Sequence, residues 1–366
     1  MSRASHSRSP HSVRRGATLA GVFLGVLVTG AATGSWPESA ARGADAPVAD
    51  AELLVNRSGD RWASAYSPEE YERLRHALAG EYVGTGIAVV RTAAGRVEVS
   101  EVHADSPAER AGVLAGDTLR TVDGVPVDGR AVTDTVARLR GSDEPSAAGP
   151  GSTVRVGLER DGRHWSAVVA RARLTTEPVS VSRDAPGVTR VRVASFTQGT
   201  AELLRDAVAS APAGDGLVLD LRGNAGGLLT EAAGAASVFL DGGLVATYDV
   251  HGEQRALHAE PGGDTRTPLV VLVDGGTMSS AELVTGALQD RGRAVVVGGR
   301  TFGKGTVQMP SVQPDGSVAE LTVGHYATPS GRVVDEDGLV PDLVVGPGED
   351  AQESAGTVLG GLAGSR

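Results

Sequence analysis

Lys304 is the single lysine among 34 basic residues; every other one is arginine. Arginine keeps its proton in a protein, whereas a buried lysine can lose it and then act as a base. One lysine in a chain that otherwise avoids the residue marks a position where arginine would not serve. It stands in Thr301-Phe302-Gly303-Lys304-Gly305-Thr306-Val307-Gln308. Gly303 and Gly305 let the backbone pack closely around the amine, Phe302 can keep water away, and the Gln308 side-chain carbonyl can hold it. Upstream runs Asp274-Gly275-Gly276-Thr277-Met278-Ser279-Ser280-Ala281-Glu282, with two adjacent hydroxyls. A serine activated by a neutral lysine is a nucleophile for acyl transfer. Competing chemistries are weaker. There is no cysteine, which removes thiolate nucleophiles, cysteine metal sites and disulfides. Of the eight histidines, His251, His258 and His325 share the C-terminal half with Ser279, and none sits beside an obvious orienting acid. A Ser-His-Asp triad is therefore poorly supported and a Ser-Lys dyad is the economical alternative.

The surrounding pattern must bring these residues together. Val188–Ser195, Gly216–Leu221, Leu269–Val273 and Ala294–Val297 read as strands; Gly199–Ala209, Leu228–Leu240 and Ser280–Gln289 read as helices. Such alternation predicts βαβ units around a buried parallel sheet, an α/β fold. Ligands then sit beyond the carboxyl ends of the strands. Three unusual loops fall there: Arg222-Gly223-Asn224-Ala225-Gly226-Gly227, the Ser279 loop and the Lys304 loop. The last two are joined by one helical crossover, so their parent strands should be neighbours and Ser279 can meet Lys304. Placed at a strand-to-helix turn, Ser279 would have an exposed hydroxyl, with the next backbone N–H facing incoming negative charge.

Ahead of this core, residues 82–173 resemble a PDZ domain. The carriers are Gly84-Thr85-Gly86-Ile87, the capped helix Ser106-Pro107-Ala108 to Ala111-Gly112, and Gly116-Asp117 through Val122-Asp123-Gly124. The resemblance implies capture of a peptide C-terminus, the carboxylate on backbone N–H groups of Gly84–Ile87 and the peptide added as a strand. Ser142–Pro150 reads as a loose surface insertion. The core resembles the C-terminal processing peptidases, or tail-specific proteases. The matching motifs are Asp220-Leu221-Arg222-Gly223-Asn224-Ala225-Gly226-Gly227-Leu228-Leu229, Gly276 through Glu282, Thr301 through Gln308, Tyr326-Ala327-Thr328-Pro329-Ser330-Gly331-Arg332 and Gly338-Leu339-Val340-Pro341-Asp342. It implies a crotonase-like or ClpP-like sheet, Ser279 as nucleophile, Lys304 as general base, Gln308 as its orienter, and an oxyanion hole from the N–H groups of Gly226 and Ser280. Neither metal nor cofactor is implied. The chain departs from the family pattern in reading Ser-Ser-Ala-Glu rather than Ser-Ala-Ser-Glu, which leaves Ser279 and Ser280 as alternatives. Asp220, Arg222, Thr277 and Glu282 read as structural, Glu282 as a first-turn acid favoured by the helix dipole.

Residues 1–46 read as an export signal or membrane anchor plus linker. Arg3, Arg8, Arg14 and Arg15 precede an uncharged, mostly apolar run from Gly16 to Pro37. The remaining expectations are an N-terminal helical segment over 47–81, the PDZ-like domain over 82–173, the peptidase core over 174–345 and a loosely ordered tail over 346–366. Net charge is −11, with no basic tract beyond the first fifteen residues, so nucleic acid is a poor partner. The reading is an exported serine endopeptidase acting on proteins with free C-termini, outside the cytoplasm or tethered to the outer face of its membrane. A catalytically dead PDZ adaptor is the alternative. Oligomeric state and substrate identity stay open.

Overall fold

The computed structural model describes residues 49–92, 95–141, 149–250, 252–334, 337–346 and 348–364. The segment read as an export signal, most of the Ser142–Pro150 insertion and His251 lie outside the described residues. The chain divides into two compact units, one formed by Gly84–Ala172 and a larger one that includes residues 49–83 and 173–364.

The larger unit opens with α1 (Ala49–Ser58), β1 (Ser64–Tyr66), α2 (Pro68–Leu78) and β2 (Glu81–Gly84). Ser67 caps α2: its hydroxyl accepts from the Glu70 amide, and the Glu70 carboxylate accepts from the Ser67 amide in return. The smaller unit contains β3 (Ile87–Arg91), β4 (Val97–Val102), α3 (Pro107–Arg110), β5 (Thr118–Val122), β6 (Val125–Pro126), α4 (Val132–Arg140), β7 (Thr153–Arg160) and β8 (Arg163–Ala170). Its sheet runs β3-β4-β5-β7-β8, so β3 is an edge strand. Alternate residues Val97, Val99, Leu119, Val154, Val156 and Leu158 form its core.

The chain continues through β9 (Ala172–Thr175), which pairs with β2, and then β10 (Val179–Ala185), β11 (Val188–Val193), α5 (Thr200–Ala209), β12 (Gly216–Asp220), α6 (Leu229–Ser237), β13 (Leu244–Val250), β14 (Glu253–His258), β15 (Leu269–Val273), α7 (Ser280–Asp290) and β16 (Val295–Gly298). It ends with β17 (Thr306–Val312), β18 (Val318–Ala327), β19 (Leu343–Val344) and α8 (Ala351–Gly364). Two sheets organise these elements among the described residues. One runs β10-β11-β12-β15-β16-β19; from β11 onward its pairs are parallel. β15 and β16 are neighbours, Val270 opposite Val295, as a single crossover helix requires. The other sheet runs β1-β18-β13-β14, with β17 also on β18.

The parallel sheet is buried on both faces, which is why its strands read as nearly continuous apolar runs. Leu217, Leu219, Val271 and Val273 face the core that also contains residues of α5, α6 and α7. Val218, Val270, Leu272 and Val297 face the opposite way, onto Ala355 and Leu359 of α8. The expectation of a loosely ordered tail over 346–366 is thus corrected. The run has too much glycine to advertise a helix, yet Ala355 and Leu359, four apart, fall on one helical face and cover sheet that would otherwise meet water. Among the described residues, no helix is long and apolar enough to cross a membrane.

Leu359 is 3% exposed and lies against the Gly216 backbone. Leu359→Ala should destabilise the larger unit by about 2–4 kcal/mol in urea denaturation. A loss below about 0.5 kcal/mol, the range of ordinary surface substitutions, would mean that α8 does not cover the sheet in solution.

Candidate active site

Three loops meet beyond the carboxyl ends of β12, β15 and β16, stitched together by backbone atoms. The Met278 amide donates to Asn224 O at 2.8 Å, and the Phe302 amide donates to Thr277 O at 3.0 Å. The Gly223 amide reaches Asp274 Oδ1 at 2.9 Å, and the Thr277 hydroxyl reaches Leu221 O at 2.9 Å. Thr277 is therefore a turn residue. Asp220 is fully buried and is held by Arg222, Arg190 and Arg192. Burial alone would raise its pKa, but hydrogen bonds from the Arg222 side chain and amide hold it below the usual carboxylate value.

Ser279 immediately precedes α7 as its N-cap, with φ 57° and ψ −119°, a conformation that side-chain-bearing residues rarely adopt. The strain sits at a strand-to-helix turn, where it lifts a side chain off the backbone path. The Ser279 hydroxyl is buried and finds no hydrogen-bond partner among the described residues. Its neighbour differs: Ser280 Oγ donates to Gly227 O at 2.9 Å. Gly226 abuts the serine so closely that a Cβ there would lie 3.0 Å from Ser279 Cβ and 3.1 Å from Ser280 N, with φ already +100°.

Glu282 ties the serine loop to the lysine loop. It is fully buried, and its Oε2 accepts from the amides of Ser279 and Lys304, each at 2.9 Å. Its Oε1 accepts from the Gly303 amide at 2.7 Å and the Thr301 hydroxyl at 2.6 Å. The two residues singled out by sequence are thus bound at their backbones by one oxygen atom. The Tyr326 hydroxyl is likewise within hydrogen-bond range of both Ser279 O, at 2.9 Å, and Lys304 O, at 3.2 Å. Its pKa is raised well above the tyrosine value by complete burial, so it stays a proton donor.

Lys304 is 4% exposed. Its amine donates to Gln308 Oε1 at 2.9 Å rather than to Ser279. Between Val307 and Gln308 the register against β18 shifts, Val307 pairing with Gly324 and Gln308 with Thr322, so that Val323 of β18 is the extra residue; Val307 and Gln308 are both buried. Burial pushes the Lys304 pKa below the usual lysine value, and the charges of Glu320 and Asp60 only partly offset it. Catalytic hydrogen bonds are often long or unmade without substrate, so an open Ser279–Lys304 gap is compatible with a base that engages later.

The Gly226 N–H donates to Asn224 Oδ1 at 2.8 Å, an asparagine side chain bonding its own backbone two residues on. Phe302 is 37% exposed, and the ring over the lysine amine is instead Trp62, whose centroid is 5.4 Å from Nζ. Trp62 had no motif to betray it. His258 and His325 are exposed, unlike Ser279. In the smaller unit, Thr85 O accepts from the Ala108 amide and Gly86 O from the His103 amide, which shapes the Gly84–Ile87 turn.

Residues 187–345 match the model of peptidase family S41, and residues 98–147 match a PDZ domain. A carboxyl-terminal-processing protease of Synechocystis is 33% identical over 288 residues, 76% of this chain and 66% of that protein. One from Picosynechococcus is 32% identical over 295 residues, 78% of this chain and 70% of that protein. Against the Synechocystis protein and curated relatives from Bacillus subtilis, Tetradesmus obliquus and Arabidopsis thaliana, this chain spans 61% to 66% of the relative, just under two thirds. A solved structure of a photosystem II D1 C-terminal processing protease aligns with a TM-score of 0.51 and 31% identity, covering 85% of this chain and 84% of that one.

The lysine environment makes a stability prediction. A base whose pKa is depressed by folding destabilises the fold most fully below its folded pKa, and the penalty vanishes as pH rises through the unfolded value, about 10.4. Lys304→Met should therefore unfold at higher urea concentration than the parent at pH 7, with the gain shrinking as pH approaches 10.4. A gain that is absent, or that grows with pH, would contradict a destabilised ammonium.

Proposed function

As the chain belongs to peptidase family S41, that of the carboxyl-terminal-processing proteases, we propose that it is a serine endopeptidase cleaving proteins near their C-termini. The observation that carries the mechanism is Ser279, whose buried hydroxyl has no partner among the described residues and whose amide shares a carboxylate oxygen with that of a buried lysine. Ser279 is the nucleophile. The Ser280 hydroxyl is already committed to Gly227 O, which favours Ser279 of the two.

In the reaction, Ser279 Oγ bonds to the scissile carbonyl carbon while its proton passes to neutral Lys304 Nζ. The carbonyl becomes an oxyanion beside the Ser280 amide, at the positive end of α7. The Gly226 amide is a second donor once it exchanges Asn224 Oδ1 for that oxyanion. Collapse breaks the C–N bond, and the lysine ammonium gives its proton to the leaving amine. Water then attacks the acyl ester, Lys304 takes its proton, and Ser279 Oγ recovers one on departure. Gln308 holds Nζ through a neutral acceptor and so does not lock the amine in its charged form.

The smaller unit supplies tail recognition in this reading. Among the described residues β3 pairs only with β4 and leaves its other side as a sheet edge, with α4 packed against it. A peptide would extend the sheet along β3, its carboxylate held by backbone N–H groups of the Gly84–Ile87 turn. The basic, then uncharged and apolar, start of the chain supports export and action outside the cytoplasm.

With a fluorogenic peptide bearing a free C-terminus, Ser279→Ala and Lys304→Arg should each lower kcat/KM by at least about a thousand-fold while the far-ultraviolet dichroism is unchanged. Amidating the peptide terminus should lower kcat/KM about ten-fold. Turnover by Lys304→Arg at the parental rate would overturn the dyad. Comparing extracellular C-termini between strains carrying the parent and Ser279→Ala would identify substrates.

A further inference from the structure

The segment between α1 and β1 belongs to none of the sequence motifs, yet it forms part of the wall around Lys304. Its anchor is Asp60, which accepts from the Trp62 amide at 2.8 Å through Oδ1 and from the Thr322 amide at 2.7 Å through Oδ2. β1 then joins β18, Ser64 opposite Glu320. Trp62 is thereby presented to the lysine loop in three ways. Its indole ring lies 5.4 Å from Lys304 Nζ. The same ring lies 5.7 Å from that of Phe302, tilted by 58°. Its main-chain carbonyl accepts a hydrogen bond from Gln308 Nε2.

The carbonyl contact decides an orientation. A peptide carbonyl can only accept, so the Gln308 amide must turn Nε2 toward Trp62 and Oε1 toward the lysine. The flipped amide would set carbonyl against carbonyl and leave the amine facing an NH2 group. The ring contact decides exposure. Next to the lysine loop is a cleft of about 340 Å³, bordered by Arg61, Trp62, Gly303, Gly305, Thr306 and His325 among others. Trp62 thus lines the cleft while its ring covers the amine.

We propose that Trp62 is a positioning residue for the general base: its ring keeps water from the Lys304 amine, and its carbonyl aims Gln308 Oε1 at that amine. The inference rests on the dyad assigned above. The charged and titratable groups of the packed elements reach the amine to different extents. The charges of Glu320 on β18 and Asp60 of the same segment as Trp62 act on it. Tyr66 of β1 hydrogen-bonds Glu320, Arg61 and His325 border the adjoining cleft, and Glu282 of α7 binds the lysine's backbone amide. Glu320 is buried and its carboxyl is raised by that burial, less so for the bond from Tyr66 and the charge of Lys304. Arg61 Cζ lies 4.5 Å from the Trp62 ring centroid. Two ring effects oppose one another. Exclusion of water favours the neutral amine, while the ring face attracts the ammonium. At 5.4 Å the amine lies within the roughly 6 Å range of that attraction, yet burial is the largest influence on the Lys304 pKa and its direction is downward.

The test is the rate at which a fluorophosphonate labels Ser279 in the full chain, followed from pH 5 to 11. This reports activation of the serine without needing a peptide tail. Trp62→Ala keeps the carbonyl and removes the ring. Its labelling should fall about ten-fold at pH 7, recover to within about three-fold of the parent at pH 10, and show an inflection about one pH unit higher. Trp62→Phe should restore most of the pH 7 rate. An equal loss at every pH, or an inflection moving downward, would overturn the proposal. Equal labelling of the parent and Ser279→Ala would instead refute the dyad itself. A second measurement leaves Trp62 in place. In the Trp36→Phe/Trp165→Phe chain, Trp62 is the only indole, and its emission should titrate with pH in a way that Lys304→Met abolishes. Identical titrations in both would also overturn the proposal, whether or not Trp62→Ala folds.

Discussion

A fully buried carboxylate is among the most expensive groups a protein can hold, and Glu282 is tolerated because four donors surround it. Three are backbone amides and one is a hydroxyl; among the described residues no lysine or arginine side chain bonds it. That choice matters for chemistry. An ammonium against this carboxylate would be locked in its charged form. Binding the Lys304 amide instead secures the lysine loop while leaving the amine to a neutral partner, Gln308 Oε1. The same carboxylate accepts from the Ser279 amide, in the first turn of α7, where the helix dipole favours negative charge. One group thereby sets the strained serine turn and the lysine loop in a common frame, without neutralising the base.

That frame depends on the sheet beneath it. β15 and β16 are adjacent and parallel, so the loops leaving their carboxyl ends emerge side by side. β12 is on the other side of β15 and delivers the Asn224–Gly227 turn to the same edge. Close approach is then a matter of small residues. A Cβ on Gly305 would come within 1.7 Å of Val334 O, so the residue after the lysine must be glycine for the loop to lie where it does. The second sheet closes the site from the other direction, with Gln308 on β17 and Tyr326 on β18.

Much of this was legible. Fully apolar strands such as Leu269–Val273 announced a sheet buried on both faces, and a single crossover helix made β15 and β16 neighbours. Lys304 stood out by residue type alone. The same fully apolar strands also implied a cover on each face, yet the Gly- and Ala-rich tail gave no periodic signal strong enough to nominate α8. Glu282 was readable as a first-turn acid, which it is, but its partners Thr301, Gly303 and Lys304 are on another loop, and a backbone amide leaves no mark in the sequence. Asn224 had the same difficulty: its bond to the Gly226 amide is a conformational choice made by the loop. Trp62 was least accessible, because its position is set by β1 pairing with β18, a contact spanning more than two thirds of the chain.

This last point bears on when the lysine becomes a base. Burial, not a neighbouring cation, is the leading cause of its lowered pKa. Burial of the amine draws on residues far apart: Gln308 on β17, the loop carrying Lys304 itself and, if Trp62 acts as proposed, the segment after α1. Until Asp60 and β1 have docked on β18, one side of the amine faces water, where a lysine is protonated at neutral pH and cannot accept the serine proton. The catalytic form of Lys304 is then a property of the completed larger unit rather than of the Gly-Lys-Gly loop. A partly folded chain would carry every motif residue in sequence and still lack a competent base, which ties the onset of an indiscriminate chemistry to the completion of the fold that confines it.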